Sequence, residues 1–178
     1  MNNAVRPVVE CVTGDITRQT DVEAVVNAAN AELQTGGGVA GAIHRAAGPG
    51  LARECRPLAP IRPGEAVISG GHELPNDWVI HCLGPVYGVD EPADKRLADC
   101  YRNALLLAEK KGISSLAFPA ISTGAFGYPP ADAAAVCART LKEIMPELSR
   151  VSLIRFVLFD ASAREILESA LAKAGLTE

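Results

Sequence analysis

The segment Asn27-Ala-Ala-Asn-Ala-Glu-Leu-Gln-Thr-Gly-Gly-Gly-Val-Ala-Gly-Ala-Ile-His-Arg45 joins an apolar strand to a helix through a run of glycines. From Gly36 onward it matches the G-x-G-x-x-G pattern of dinucleotide-binding enzymes. That pattern requires its first glycine directly after a strand, and an acidic residue about 20 positions later at the end of the next strand. Here residues 27–35 separate the predicted strand from the glycines, and Glu54 lies within a predicted helix, 41–56. The context therefore argues against a nicotinamide oxidoreductase.

The glycines still indicate an anion site. Three consecutive glycines, Gly36 to Gly38, let the backbone approach a ligand closely, and the following helix presents unpaired N–H groups and its positive dipole end. A second candidate is 122–128, where Gly124 and Gly127 free the backbone and Ser122 and Thr123 add hydroxyl donors. Either loop alone is equally well explained as a tight turn. Two such loops on neighbouring strand ends suit a diphosphate.

Strand and helix patterns alternate along the chain, which is typical of a layered α/β domain. The predicted strands are 8–12, 24–26, 66–69, 78–83, 116–121 and 153–159. Besides 41–56, helices are predicted around 97–108 with Gly112 as C-cap, over 130–148, and over 161–174 with Asp160 near its N-cap.

These elements predict one domain over residues 1–178: a three-layer α/β/α sandwich with a mixed, largely parallel central sheet of about six strands. A chain with 48% hydrophobic and 21% charged residues buries one sizeable core. In such sheets a ligand binds outside the carboxyl ends of the strands. The loops after residues 26, 121 and 159 should converge there.

Charge and composition argue against several classes of protein. A net charge of -4 and a pI near 5.4 give no basic footprint for nucleic acid. No apolar run approaches a membrane span, and the N-terminus lacks a signal-peptide pattern, so a soluble, cytoplasmic protein is expected. Five cysteines without a C-x-x-C pair and three scattered histidines predict reduced, mostly buried thiols and neither a metal nor a cofactor.

Five motifs resemble the macrodomain family, in order and across nearly the whole chain. They are Val12-Thr-Gly-Asp-Ile-Thr17, Val25-Val-Asn-Ala-Ala-Asn30, Gly36-Gly-Gly-Val39, Ala42-Ile-His-Arg-Ala-Ala-Gly48 and Pro119-Ala-Ile-Ser-Thr-Gly-Ala-Phe-Gly-Tyr128. The resemblance implies the macrodomain fold, binding of ADP-ribose, and either recognition of ADP-ribosylated proteins, removal of ADP-ribose from them, or deacetylation of O-acetyl-ADP-ribose. It also implies mono-ADP-ribosylated proteins as partners, and we expect a monomer.

The resemblance assigns the adenosine half of the ligand to four residues. Asp15 would accept a hydrogen bond from the adenine amino group, with the Ile16 backbone near the base. Phe159 would pack on the adenine ring, and Asp160 would reach the adenosine ribose.

The remaining ligand-binding residues would enclose the diphosphate and the distal ribose. Phe126 would lie against the distal sugar, and Asn30 would hydrogen-bond it near its reactive carbon as the catalytic residue. The enclosing loop residues are Gly36, Gly37, Gly38, Val39, Ser122, Thr123, Gly124, Ala125 and Phe126.

Ala40 departs from the family pattern. In the MacroD-type hydrolases, which the rest of this loop most resembles, an Asp follows Gly-Gly-Gly-Val and positions the attacking water. Some macrodomains, notably viral ones, carry Gly-Gly-Gly-Val-Ala-Gly and still hydrolyse ADP-ribosyl bonds. The resemblance thus implies that Asn30 and a ligand phosphate acting as base suffice. Two functions stay open: a hydrolase of mono-ADP-ribosyl esters or O-acetyl-ADP-ribose, and a non-enzymatic ADP-ribose reader.

Four other polar residues have a structural interpretation that is favoured over a catalytic one. Asn27 is expected at a turn or strand end with its side chain bonded to its own backbone. His44 is expected to be packed or capping, and His81 to be a satisfied core histidine. Ser122 has no adjacent base to activate it, so a role as donor to phosphate is favoured over that of a nucleophile.

Overall fold

A computed structural model describes residues 6–177 and shows one mixed six-stranded sheet. The strands are β1 (Val8–Thr13), β2 (Ala24–Ala28), β3 (Ala66–Gly70), β4 (Trp78–Cys82), β5 (Ser115–Phe118) and β6 (Leu153–Leu158). Their order across the sheet is β1-β6-β5-β2-β4-β3, and each neighbouring pair is parallel except β3 with β4. The predicted largely parallel sheet is confirmed.

Five helices cover the two faces of this sheet. They are α1 (Gly38–Ala47), α2 (Pro49–Cys55), α3 (Ala93–Lys111), α4 (Pro130–Ile144) and α5 (Ala161–Lys173). One buried cluster joins α3, α4 and α5 to the face that carries Phe118 and Phe156. A second joins α1 and α2 to the opposite face, where Val25 and Val79 lie. The molecule is therefore the predicted three-layer sandwich.

Burial on both faces explains the sequence of the central strands. Ala24 and Val26 point into one cluster while Val25 points into the other, and all three are fully buried. Successive strand residues point to opposite faces, so a strand covered on both sides is apolar throughout rather than alternating.

Some predicted boundaries are wrong. The predicted helix 41–56 is two helices, since Gly48 adopts φ +82° and Pro49 begins a new helix. Predicted helix 130–148 ends at Ile144 and is followed by a short 3-10 turn, Met145–Glu147. The predicted caps are confirmed, because Gly112 is left-handed at the end of α3 and Asp160 accepts from Ala163 N at the start of α5.

All five cysteines are buried free thiols, as predicted. Within residues 6–177, no group of three or more His, Cys, Asp or Glu side chains is arranged to hold a metal ion. No helix in the same part of the chain is long and apolar enough to cross a membrane.

Candidate functional site

Four loops meet at the carboxyl edge of the sheet. Because β1, β6, β5 and β2 are adjacent and parallel, the segments that follow them leave the sheet on the same side and in this order. These segments carry Asp15, Phe159, Ser122 and Asn30 respectively. Three strand spacings of ~4.8 Å separate the outer two, about 14 Å in all. The edge thus brings these four sequence-predicted residues into one row of neighbouring strand ends.

The glycine run forms the N-terminus of α1. Gly37 is the N-cap, and the first helical bond runs from Gly41 N to Gly37 O at 3.2 Å. Among residues 6–177, no backbone carbonyl accepts from the N–H groups of positions 36–40. A methyl group on Gly41 would lie 2.3 Å from Gly36 O, so this glycine lets the loop fold tightly onto its own helix. The result is a cluster of free donors at the positive end of a helix dipole.

The loop after β5 presents a second cluster of donors. It is closed by bonds from Tyr128 N to Ser122 O at 2.9 Å and from Gly127 N to Gly124 O at 3.0 Å. No backbone carbonyl of residues 6–177 accepts from the N–H groups of positions 122–126. β5 and β2 are neighbours, so the two sets of unpaired N–H groups lie at adjacent strand ends.

The hydroxyl groups of this loop are arranged differently from the sequence expectation. Thr123 Oγ1 donates to Ala120 O at 2.9 Å. Ser122 has φ +67°, and its Oγ is buried with no hydrogen-bond partner in the described part of the chain. The Thr123 hydroxyl is therefore already used, and the Ser122 hydroxyl is unpaired but buried, which leaves the backbone N–H groups as the main donors of this loop.

The segment after β4 supports this loop. Gly84 is buried, and a methyl group on it would lie 2.2 Å from Ser122 Oγ. Tyr87 N donates to Phe126 O at 2.8 Å, and the Tyr87 and Tyr128 rings pack 4.9 Å apart. A glycine directly after a predicted strand is the one signal that could have identified this support.

Asn30 lies beside the glycine run. Its Nδ2 donates to Gln34 O at 2.9 Å and its Oδ1 accepts from Gln34 N at 3.1 Å, which fixes the plane of the amide. A methyl group on Gly36 would lie 3.2 Å from the same Nδ2. Because the amide nitrogen carries two protons, one donor remains for a ligand.

Asp15 follows β1 and is the N-cap of the short 3-10 turn Ile16–Arg18. Its Oδ1 accepts from Thr17 N at 2.9 Å and Thr17 Oγ1 at 2.7 Å. These bonds lower the pKa of Asp15, whose carboxylate is therefore ionised at neutral pH. Oδ2 lies 3.7 Å from the exposed Arg18 guanidinium and makes no closer contact to it, so this oxygen can receive a donor. Ile16, the next residue, is buried beneath the loop.

Phe159 projects from the neighbouring strand end. Its side chain is 93% exposed, although large apolar residues are usually covered. A bond of 3.1 Å from Gly14 N to Leu158 O joins its strand to the loop that carries Asp15. Asp160 caps α5 through a bond of 2.8 Å from Ala163 N. An exposed aromatic ring and an available carboxylate oxygen thus lie together near one end of this row of loops.

Ala40 and His44 lie one helical turn apart on α1, and both are buried. Ala40 is 5% exposed and His44 is 6% exposed. Burial lowers the pKa of His44, so its ring is neutral, and its Nε2 has no partner among the described residues. His44 is packed, as expected, and position 40 carries no carboxylate.

Asn27 lies near the end of β2, as expected, but its side chain bonds a neighbouring strand rather than its own backbone. It is fully buried, and its Nδ2 donates to His81 Nδ1 at 3.1 Å. His81 Nε2 then donates to Ser69 Oγ at 2.8 Å, and Cys55 Sγ lies 3.5 Å from the same nitrogen. Burial lowers the pKa of His81 to about 3, so the ring is neutral. The prediction of a satisfied core histidine is confirmed.

Two surface cavities lie away from this edge. One, of about 670 Å³, lies between α4 and α5, and the other, of about 340 Å³, lies beside α3 and β3. Neither is lined by a residue of the four loops. Their walls carry no comparable run of unpaired N–H groups, so the carboxyl edge is the better candidate site.

Comparison with known proteins defines the class to which this edge belongs. The Macro domain family model matches residues 26–137, from β2 into α4. The chain therefore belongs to the Macro domain family.

Individual relatives are similar over nearly their full length. A macro domain-containing protein of Streptomyces griseus is 44% identical over 178 residues, covering 97% of this chain and 99% of its own. A protein of Enterobacter sp. named O-acetyl-ADP-ribose deacetylase is 43% identical over 177 residues, covering 97% and 98%.

Solved structures show the same fold. The Oceanobacillus iheyensis macrodomain with ADP superposes with a TM-score of 0.89 at 39% identity, covering 97% of this chain and 94% of that one. The Trypanosoma brucei macrodomain in complex with ADP-ribose gives a TM-score of 0.86 at 33% identity, covering 96% and 72%. One of these neighbours was thus solved with ADP and the other with ADP-ribose.

Proposed function

We propose that this protein binds ADP-ribose along the carboxyl edge of its sheet and hydrolyses mono-ADP-ribosyl esters on proteins or O-acetyl-ADP-ribose. One observation carries the proposal: two runs of unpaired backbone N–H groups, at positions 36–40 and 122–126, on adjacent strand ends. Such paired donor clusters bind a diphosphate without a positively charged side chain. The ADP and ADP-ribose ligands of the structural neighbours support the same chemistry.

The adenosine half is placed at the β1 and β6 end. Asp15 Oδ2 accepts from the adenine amino group, the Ile16 backbone adjoins the base, and the exposed ring of Phe159 packs on it. Asp160 lies next in the chain, where the adenosine ribose follows the base.

The diphosphate and the distal ribose then continue along the edge. The glycine-rich loop encloses the diphosphate on one side with Gly36, Gly37, Gly38 and Val39, and the loop after β5 encloses it on the other with Ser122, Thr123, Gly124 and Ala125. Phe126 closes the groove over the distal ribose, and the free Nδ2 proton of Asn30 orients that sugar.

The chemistry requires positioning more than a tuned side-chain pKa. For a protein ester, water attacks the anomeric carbon of the distal ribose, the bond from that carbon to the ester oxygen breaks, and the side-chain carboxylate leaves. The water proton passes to a phosphate oxygen of the ligand. For O-acetyl-ADP-ribose, water adds to the acetyl carbonyl, the bond from the acetyl carbon to the ribose oxygen breaks, the ribose oxygen takes up the proton, and acetate is released. Holding water, phosphate and ribose together supplies the rate without a carboxylate at position 40.

The missing carboxylate also favours a second candidate, a reader that binds ADP-ribosylated protein without hydrolysis. Ala40 lies in the first turn of α1, and His44, one turn later in the same helix, is buried with a pKa that burial lowers, so it is a weak and poorly accessible base. The two candidates share the binding site and differ only in turnover.

Release of free ADP-ribose from a glutamate-linked mono-ADP-ribosylated protein, followed by mass spectrometry, tests the proposal. Asn30→Ala is compared with wild type at equal concentration. Glu32→Ala, an exposed change in the same loop, is the matched control.

We expect release by wild type and Glu32→Ala but not by Asn30→Ala. Binding of ADP-ribose without release, on this substrate and on O-acetyl-ADP-ribose, would identify a reader. No binding of ADP-ribose by wild type would overturn the proposed site altogether.

A further inference from the structure

Gln19 links the adenine end of the groove to the sheet. Its Nε2 donates to the backbone oxygen of Asp15 at 2.8 Å, and its Oε1 accepts from Arg155 Nη1 at 3.1 Å. The side chain therefore bridges the Asp15 loop and a residue on β6, using its donor on one side and its acceptor on the other.

Arg155 is itself held in one orientation. Its side chain is 12% exposed, and its Nε donates to Glu10 Oε1 at 2.7 Å. Nη1 and Nη2 donate to the two oxygens of Asp21 at 2.7 and 2.8 Å. A guanidinium that makes two parallel hydrogen bonds to one carboxylate and a third hydrogen bond to another has little rotational freedom. It presents a fixed donor to Gln19.

The main chain of Gln19 is fixed independently. Asn76, from the loop between β3 and β4, donates its Nδ2 to Gln19 O at 2.7 Å and to Val22 O at 2.9 Å. Asn76 is 3% exposed, so water does not compete for these bonds. Both ends of Gln19 are thus tied to buried parts of the fold, although Asp15 itself lies in an exposed loop.

We infer that Gln19, oriented by Arg155, is a positioning residue that fixes the Asp15 carboxylate and thereby sets the preference for adenine; this inference rests on the proposed function. Oδ1 of Asp15 is occupied by Thr17, so only Oδ2 can recognise the base. Where Oδ2 points depends on the backbone of Asp15, whose carbonyl Gln19 holds. Adenine offers an amino donor to that oxygen, whereas hypoxanthine offers a carbonyl oxygen that the carboxylate repels.

The test is the ratio of the dissociation constants of ADP-ribose and inosine diphosphate ribose, measured by calorimetry. Gln19→Glu keeps the length of the side chain and an acceptor for Arg155 but cannot donate to the Asp15 carbonyl. Arg155→Lys keeps the charge but loses the fork. Thr20→Ala, an exposed change in the same turn, is the matched control.

We expect wild type and Thr20→Ala to prefer ADP-ribose, and the preference to fall roughly fivefold or more in Gln19→Glu and in the same direction in Arg155→Lys. An unchanged ratio in both variants would overturn the inference. So would an equal loss of affinity for both ligands, because that outcome would report general loosening of the loop. Failure of wild type to bind either ligand would instead refute the proposed function, and the inference with it.

Discussion

Asp15 illustrates how a single carboxylate can have two tasks. One oxygen caps the 3-10 turn Ile16–Arg18 through Thr17, and the other is available to a ligand. Removing the side chain would remove both, whereas Asp15→Asn removes the charge and leaves an oxygen for the cap. The pair of substitutions therefore separates folding of the turn from recognition of the base.

Asp15→Ala should weaken ADP-ribose binding by about 1 to 3 kcal/mol, the usual cost of losing a hydrogen bond to a charged group. Asp15→Asn should cost affinity as well, with a smaller effect on melting temperature. Isothermal calorimetry and thermal unfolding measure the two quantities, with the exposed Asp77→Ala as control. Unchanged affinity in Asp15→Ala would show that the adenine end has been misplaced.

The first turn of α1 carries Ala40 and lacks a carboxylate at this position. Ala40→Asp introduces a carboxylate in the first turn of α1, where the helix dipole stabilises it. We expect it to order the attacking water and raise turnover roughly tenfold or more, about 1.4 kcal/mol of barrier. Ala40→Asn, of similar volume without charge, is the control. A flat or reduced turnover in Ala40→Asp would mean that the water is positioned by other groups.

In α1, the helix propensity of position 41 conflicts with the tertiary contacts of that position. Gly41 lies inside this helix, where replacement by alanine alone would stabilise by about 1 kcal/mol. The methyl group would, however, lie 2.3 Å from the Gly36 carbonyl oxygen. The glycine is therefore required by the fold of the donor loop rather than by the helix.

Gly41→Ala should lower the melting temperature and weaken ADP-ribose binding roughly tenfold or more, since overpacking displaces the loop at a cost of about 1 to 3 kcal/mol. Gly37→Ala is the control for stability, because a methyl group there meets no atom within 4 Å. A stabilised Gly41→Ala variant with wild-type affinity would contradict the close approach described for this loop.

The elements differ in how well the sequence predicts them. Periodicity locates every strand and most helices, because both faces of the sheet are apolar. The break at Gly48 is missed by the predicted helix 41–56 although Pro49 follows it, and a glycine directly before a proline often ends a helix. The antiparallel pairing of β3 with β4 fits the short connection between them, which leaves no room for a parallel crossover.

In the candidate site too, local features can be predicted from the sequence, whereas contacts between distant residues cannot. Glycine runs and strand ends predict where donors occur, because these are local features. Gly84 and Gln19 escape prediction because their roles arise from contacts with Ser122 and Arg155, which are distant in sequence. The burial of the Ser122 hydroxyl could not be anticipated for the same reason.

At the scale of the whole molecule, Arg155 ties the outer strands and the first loop into one ion network. The hydrogen bonds from Arg155 lower the pKa of Asp21 to about 2, against an ordinary value of 3.8. A carboxylate whose pKa is lower in the folded state stabilises the protein above its unfolded pKa and loses that contribution as pH falls. The network should therefore weaken between about pH 4 and pH 2.

Urea unfolding at a series of pH values measures this dependence. Asp21→Asn should have a lower urea midpoint than wild type at pH 6 and a shallower decline between pH 4 and pH 2. Because Asp21 is largely exposed, solvent screens the pair and the difference should be modest. Asp77→Asn is the control, since its side chain forms no ion pair among residues 6–177. Parallel pH profiles for wild type and Asp21→Asn would contradict the role of the network.

Chemical labelling of the buried cysteines can measure how often parts of the molecule open transiently. A thiol reagent reaches Cys55 in α2 or Cys137 in α4 only when the surrounding layer opens, so labelling rates under native conditions measure local opening equilibria. ADP-ribose bound at the N-terminus of α1 should slow labelling of Cys55 more than that of Cys137. Peptide mapping of the labelled protein would then show which of the two helix layers the ligand stabilises, using only the natural cysteines.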